Sequence, residues 1–399
     1  MKTLTKINIG FLALAAVALW FTSCSSEDVA SGTNQGNQES ILLLSFNTGK
    51  MGTRSTTTNL TDDEKKINDM TIGIYSSDGQ RLRTVQKLTK AESEGEATPG
   101  SNKFYMDGSG NAVAKIVTTA ALTAGDQVLV AANTGSADFS KKGTADGFKS
   151  VEIDATTALT GTSAGTALTA ATLPKFGTSF GKLQAGSNKS EFSASDIKLK
   201  NLVSKITLQS ITVDFAADGP YASATFEPQE MYLVSVPNKM QFSETAWINN
   251  PDSYFSGNDK GFLKVTLSTP SGEGASKVLS VNNSKFTGTA TDVLYTIPNS
   301  NTEANKTVLV IKGQFQGETK PVYYKLPLNV AGYTAGKPSG PVAAGTSAFQ
   351  IPSGKNIKCN ITIKTIGSTN PDAESGPLTA TLTVTVDPWD DLDQTTTFE

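Results

Sequence analysis

Nine residues near the end of the chain alternate without exception. Leu378, Ala380, Leu382, Val384 and Val386 occupy every second position, with Thr379, Thr381, Thr383 and Thr385 between them. Only an extended strand has a side-chain period of two, so this stretch reads as a β-strand with one apolar face and one polar, β-branched face. Asp387-Pro388-Trp389 ends the regular run, because proline cannot donate to an interior ladder. Shorter runs of the same kind recur at 41–46, 70–75, 127–132, 231–236, 262–267, 308–315, 321–328 and 357–366, broken by Gly, Pro and Asn turns. From Leu199 the pattern Leu202, Ile206, Leu208, Ile211, Val213, Phe215 opens what reads as a second domain. Many short strands with turns between them predict an all-β chain of sandwiches, and 399 residues suffice for two or three domains. Helix signals are sparse. Thr61-Asp62-Asp63-Glu64 predicts one capped turn. Residues 155–190, rich in Ala, Thr, Gly and Ser, read as surface loops with a short helix. No internal repeat occurs at solenoid periods.

Composition narrows the function. Histidine is absent, which excludes Ser-His-Asp and Cys-His catalysis and histidine-based metal sites. A net charge of −3 provides no basic field for nucleic acid. Of the two cysteines, Cys359 alternates with Ile357, Ile361 and Ile363 and reads as an inward-facing strand residue rather than a nucleophile. No cofactor, metal or catalytic group is indicated, and the chain does not read as an enzyme.

Residues 1–24 read as a processing leader. Lys2 and Lys6 precede an apolar run from 7 to 21, interrupted only by Asn8, and Phe21-Thr22-Ser23-Cys24 closes it. Small residues just before a cysteine suit a lipoprotein signal peptidase, with residues 1–23 removed and the Cys24 thiol taking a diacylglycerol. An ordinary secretory signal with a chance cysteine is the other reading. Ser25-Ser26-Glu27-Asp28 follows, and residues 29–39 read as a flexible tether. Ile41, Leu42, Leu43, Leu44 and Phe46 then form a strand fit for burial on both faces, or for a groove.

Arginine occurs only at Arg54, Arg81 and Arg83. Arg54 stands in a small, polar stretch, 49–58, open to proteolysis. By itself it would be an ordinary surface arginine. Its position gives it meaning, because a cut between Arg54 and Ser55 detaches leader, tether and the 41–46 strand together. Removing an interior strand leaves unpaired backbone edges that template another strand, and the alternating C-terminal strand has the chemistry to fill such a gap.

Several stretches together resemble the type V fimbrillins of Bacteroidetes, in particular their stalk-forming subunits. They are the leader ending at Cys24, the Thr53-Arg54 loop, residues 64–72 (EKKINDMTI), 125–133 (GDQVLVAAN), 356–361 (NIKCNI) and 384–389 (VTVDPW). The middle, roughly 135–350, matches in character alone. The resemblance implies two tandem transthyretin-like β-sandwich domains, 55–200 and 201–399, after a signal peptide at 1–23 and a propeptide at 24–54. It also implies export to the outer membrane as a lipoprotein lipidated at Cys24. Cleavage by an arginine-specific protease after Arg54 would follow, then assembly into an extracellular fimbrium by donor-strand exchange. The removable strand would be Ile41, Leu42, Leu43, Leu44 and Phe46. The donor, within 378–398, would carry Leu378, Ala380, Leu382, Val384, Val386 and Trp389. Implied partners are identical or related subunits, anchor and tip subunits, and host or bacterial surface ligands. Adhesion and biofilm formation would be the outcome.

Competing readings are a lipid-anchored surface protein that binds glycans and keeps its anchor, or a fimbrial tip subunit. Trp247, Tyr254 and Phe255 could stack a sugar, although packing under a loop explains them as well. Residues 332–338 lack the spacing and hydroxyl of a phosphate loop. Asp387, Asp390, Asp391 and Asp393 lack the glycine and terminal glutamate of an EF-hand.

Overall fold

The computed structural model describes residues 40–47, 61–108, 111–159, 172–183, 192–248, 251–269, 276–281, 285–300, 304–328, 333–334, 337–338, 349–373 and 380–388. The chain divides into Met1–Gln38, outside these residues, and Glu39–Glu399, which carries every element below. Its first part contributes β1 (Ser40–Asn47), α1 (Asp62–Lys65), β2 (Asp69–Tyr75), β3 (Leu82–Lys90), β4 (Lys103–Met106), β5 (Asn111–Thr118), β6 (Gln127–Ala132), α2 (Ala145–Lys149), β7 (Glu152–Asp154), α3 (Ala155–Leu159), β8 (Lys175–Phe180), β9 (Lys182–Leu183), β10 (Phe192–Lys198) and β11 (Lys200–Asn201). All but β7 of these strands form one ten-stranded sheet, in the order β11-β8-β6-β2-β3-β4-β5-β1-β10-β9.

That sheet curls back on itself. The stretch from 192 to 201 pairs with β1 through β10 and with β8, near the far end of the path, through β11. Glycine permits the close approach there: a Cβ at Gly177 of β8 would meet the Lys198 carbonyl oxygen. Both faces of the sheet are covered at its centre. Met70, Ile72, Ile74, Val128 and Val130 enter one core with Ala112, Ala114, Ile116, Ala194 and Ile197, while Tyr75, Leu129 and Ala131 enter another with Phe148 of α2. This double burial is why β6 reads as an unbroken apolar run rather than an alternating one. Gly73 leaves room for the Phe148 ring, to which a Cβ would come within 2.8 Å.

The second part contributes β12 (Ser204–Val213), β13 (Phe226–Val234), β14 (Val236–Pro237), β15 (Lys239–Gln241), β16 (Tyr254–Phe255), β17 (Lys264–Thr266), β18 (Phe286–Thr287), β19 (Val293–Thr296), β20 (Val308–Phe315), β21 (Val322–Pro327), β22 (Tyr333–Thr334), β23 (Lys337–Pro338), β24 (Lys355–Ile363) and β25 (Ala380–Pro388). A five-stranded sheet runs β18-β12-β24-β25, with β19 also on β12, and a four-stranded sheet runs β17-β13-β20-β21. Ile206, Leu208, Ile211, Ile357, Cys359 and Ile361 of the first share a core with Met231, Leu233, Leu309, Ile311, Val322 and Tyr324 of the second. This is the layered arrangement of a β-sandwich. A bulge between Leu208 and Ser210 explains why the apolar pattern of β12 changes phase before Ile211. β15 pairs with β7, and Phe139 stacks on both Phe148 and Phe242, so the two parts share side-chain packing as well as chain.

The all-β class follows the sequence reading, and so does the capped turn at Thr61. The 155–190 segment differs from it. α3 supplies the expected short helix, but β8 lies inside the ten-stranded sheet with Lys175, Phe176 and Gly177 buried. β22 and β23 pair antiparallel, Tyr333 opposite Pro338 and Thr334 opposite Lys337. Gly177→Ala is expected to force β8 away from β10 and lower stability by about 1–3 kcal/mol, read as a reduced urea midpoint with an unchanged m-value.

Candidate functional site

β1 is an interior strand. It runs antiparallel to β5 over its whole length, Ser40 opposite Thr118 and Asn47 opposite Asn111. On its other side it runs parallel to β10, from Leu42 opposite Phe192 to Asn47 opposite Lys198, with a shift between Leu44 and Phe46. Leu42, Leu44 and Phe46 stand in register with Ile116, Ala114 and Ala112, all fully buried. The small alanines on β5 leave space beside β1, and Ala194 and Ile197 are the buried residues on the β10 side. Without β1, two buried strands would each lose a ladder partner, and the ring of strands would open between them.

Residues 48–60 lie outside the described residues, and the described chain resumes at Thr61. Thr61 and Glu64 satisfy one another: the Glu64 amide donates to Thr61 Oγ1 at 3.3 Å and the Thr61 amide donates to Glu64 Oε2 at 2.7 Å. The other carboxylate oxygen faces the five-stranded sheet. Lys205 Nζ of β12 donates to Glu64 Oε1 at 2.9 Å and Tyr295 OH of β19 donates to it at 2.6 Å. Glu64 is 0% exposed, so α1 is fixed to the second part of the chain by a desolvated charge pair whose carboxylate accepts from Thr61, Lys205 and Tyr295. Burial and the Glu64 carboxylate both push the Tyr295 hydroxyl far above its usual range. Nearby on β8, Lys175 donates to Asn201 Oδ1 at 2.8 Å and to the Leu173 carbonyl at 3.3 Å. Burial lowers its ammonium to about 7, and Glu64 partly opposes that fall.

Segments 64–72 and 125–133, far apart in sequence, meet here. Asn133 accepts from the Asn68 amide at 2.9 Å and donates to the Lys66 carbonyl at 3.0 Å and the Leu173 carbonyl at 2.8 Å. Asn133 has φ 55°, a left-handed backbone that asparagine tolerates.

β25 has the opposite status to β1. It ends its sheet and pairs with β24 alone among the described residues, Ala380 opposite Ile363 through to Pro388 opposite Lys355. Segments 356–361 and 384–388 are therefore adjacent strands. Ala380 and Leu382 are buried. Cys359 is fully buried with Ile357, Ile361 and Ile363 beside it, and burial pushes its thiol up to about 12, which suits packing and not nucleophilic attack. Cys24, Arg54, Ser55, Leu378 and Trp389 lie outside the described residues. Trp247 donates to the Ile351 carbonyl at 3.0 Å and Phe255 stacks edge-on with Phe262, which ties both into packing. The Glu64–Lys205–Tyr295 contact escaped the sequence reading, since only the capping half of the role of Glu64 has a local signature.

No protein-family profile matches the chain, and no curated protein matches it. Solved structures do. A protein assigned to cell adhesion from Bacteroides eggerthii aligns with a TM-score of 0.56 at 17% identity, covering 90% of this chain and 98% of that one. Another from Parabacteroides distasonis gives 0.58 at 16% identity over 90% and 100%. A fimbrilin from Porphyromonas gingivalis gives 0.51 at 15% identity over 88% and 99%. The chain shares the fold of these three structures over 88–90% of its length.

Two outcomes test the buried charges. Glu64→Gln removes the buried carboxylate charge that Lys205 donates to and is expected to cost about 3–5 kcal/mol of stability in urea melts. Lys175 is protonated to about pH 10.4 when unfolded and to about 7 when folded. Between these values the unfolded chain holds the extra proton, so stability rises with pH. Lys175→Met should flatten that rise between pH 7 and 9 in melts taken across the range.

Proposed function

We propose that the chain is a structural subunit of a surface fimbria, exported as a lipoprotein and released for assembly by a cut after Arg54. The reading is carried by the contrast between β1 and β25. β1 has a ladder on each side and is joined to the body only through the segment that holds Arg54. β25 has a ladder on one side and matches β1 in length, nine residues against eight. A cut after Arg54 would turn β1 into a separate peptide. The body would keep its own start, because the Glu64 clamp lies beyond the cut.

A neighbouring subunit's β25 entering the vacated place exchanges one ladder for two. Burying about four Leu or Val side chains at about 1.5–3 kcal/mol each contributes roughly 6–12 kcal/mol. Each extra ladder bond adds about 0.5–1.5 kcal/mol net, and association with ordering of the donor offsets a substantial part. The contact is head-to-tail, so repetition makes a filament rather than a closed dimer. The fold shared with a fimbrilin and with proteins assigned to cell adhesion supports a fimbrial role at the cell surface, with other subunits as partners. Anchor and tip subunits, an arginine-specific protease and surface ligands complete the proposed set. The uncut precursor would remain at the outer membrane through the lipid on Cys24.

Arg54→Ala is expected to leave an uncut, lipidated monomer and no fibres by electron microscopy. Fibres of normal length from that variant would show that the cut is dispensable. Mass spectrometry of shed wild-type protein should find an N-terminus at Ser55; a shed or surface pool uniformly acylated at Cys24 would favour a permanently anchored binding protein. Removal of residues 378–399 should abolish polymerisation while leaving the remaining sheets folded, and fibres from that deletion would refute the donor assignment.

A further inference from the structure

β8 and β11 form an antiparallel ladder, Phe176 opposite Lys200 and Lys175 opposite Asn201. One residue further, the Leu202 amide donates to the Pro174 carbonyl at 2.8 Å, so backbone pairing flanks Lys175 and Asn201 on both sides. The two residues are 5% and 6% exposed. Lys175 Nζ donates to Asn201 Oδ1 at 2.8 Å and to the Leu173 carbonyl at 3.3 Å. Both acceptors are neutral, and no carboxylate pairs with Lys175 among the described residues. A buried cation met only by neutral oxygens is costly to keep charged. Burial draws this one toward the free amine, which is the nucleophilic form of lysine.

We propose that Lys175 and Asn201 join in an intramolecular amide bond. Nζ of the neutral amine attacks the side-chain carbonyl carbon of Asn201 and the new N–C bond forms. One amine proton then passes to Asn201 Nδ2, and the bond from that nitrogen to the carbon breaks to release ammonia. Amine plus carboxamide gives secondary amide plus ammonia, so no oxidant, reductant or co-reactant is required. A nitrogen 2.8 Å from Oδ1 lies within about 4 Å of the attacked carbon, given the length of a carbonyl bond. Holding the two groups at that distance replaces a bimolecular encounter. Asn201 also lines a cavity of about 450 Å³, which gives the departing ammonia room. The product carries no buried charge, and its remaining N–H can still donate to the Leu173 carbonyl.

The link closes a covalent loop from Lys175 to Asn201 that contains β10. β10 is one wall of the place that β1 occupies. On the strand-exchange reading, on which this consequence rests, the link holds that wall while the place stands empty. The bond itself does not depend on whether β1 ever leaves. The ammonium that titrates at Lys175 belongs to the unlinked chain, and its effect on stability disappears as the bond forms.

The test holds folded, uncut full-length protein at neutral pH, then denatures it, digests it with trypsin and reads the peptides by mass spectrometry. The expected product is a branched peptide, residues 150–182 joined to residues 201–205, uncut after Lys175 and lighter by one ammonia than its two parts. A cyclic imide at Asn201 would also lose ammonia but would not join the peptides. Separate peptides, with or without that loss, would therefore overturn the proposal. Asn201→Asp replaces the bond by an ion pair and should give separate peptides; a branched peptide at Lys175 in that variant would place the bond at another residue and overturn the assignment to Asn201. With the N-terminal fragment removed, amide-exchange protection of β10 should be roughly a hundredfold lower in Asn201→Asp than in the linked chain, as loss of a cross-link over a loop of this size implies. Equal protection would overturn the role of the link in holding β10. The branched peptide reports the bond and fibre counts report the exchange, so failure of one is distinguishable from failure of the other.

Discussion

A strand inside a sheet must satisfy backbone donors and acceptors on two sides, and a strand at the edge on only one. That difference organises this molecule. β1 is an interior strand, supported by β5 and β10. β25 is an edge strand, supported by β24. Burial makes the interior place costly to leave empty, since its neighbours Ala112, Ala114, Ile116 and Ala194 lie in the core. The same burial makes the place specific for an extended apolar segment of matching length. On the proposed reading, the interior strand is the one removed and the edge strand the one transferred, which would give the two complementary surfaces that linear assembly requires.

Covalent connectivity decides which strand can go. The start of the body at Thr61 is tied down by reciprocal capping with Glu64 and by Lys205 and Tyr295 from two strands of the second part. A buried pair of this kind adds less net stability than its geometry suggests, because both charges are desolvated. Its value is positional. It fixes where the chain that follows the Arg54 segment enters the fold, so the proposed cut would separate β1 and leave the start of β2 held. Lys175, buried close by with its ammonium lowered to about 7, makes the same region sensitive to protonation near neutral pH.

Much of the fold was legible because its strands obey simple periods. β6 and β20 matched their expected bounds, and β2, β24 and β25 were each found within a few residues, since their apolar residues are large and regularly placed. β5 and β10 were missed. Asn111-Ala112-Val113-Ala114 and Phe192-Ser193-Ala194-Ser195 rely on alanine and serine, which carry little strand propensity but leave space beside β1. β8 was missed for a related reason: Gly177 is there to let Lys198 approach, and Lys175 is a charged residue in a buried strand. Cys359 was legible from its isoleucine neighbours. The clamp at Glu64 was not, because it joins residues more than a hundred positions apart, and no local pattern encodes such a meeting.

Peptide binding reads the proposed strand transfer directly. A fluorescent peptide of residues 378–399 is titrated into protein before and after cleavage at Arg54 and removal of the N-terminal fragment, with amide exchange followed in β5 and β10. The predicted result is binding only to the cleaved protein, with protection of both strands lost on removal of the fragment and regained with the peptide. Equal protection of β5 and β10 in cut and uncut protein, with no peptide bound to either, would contradict it.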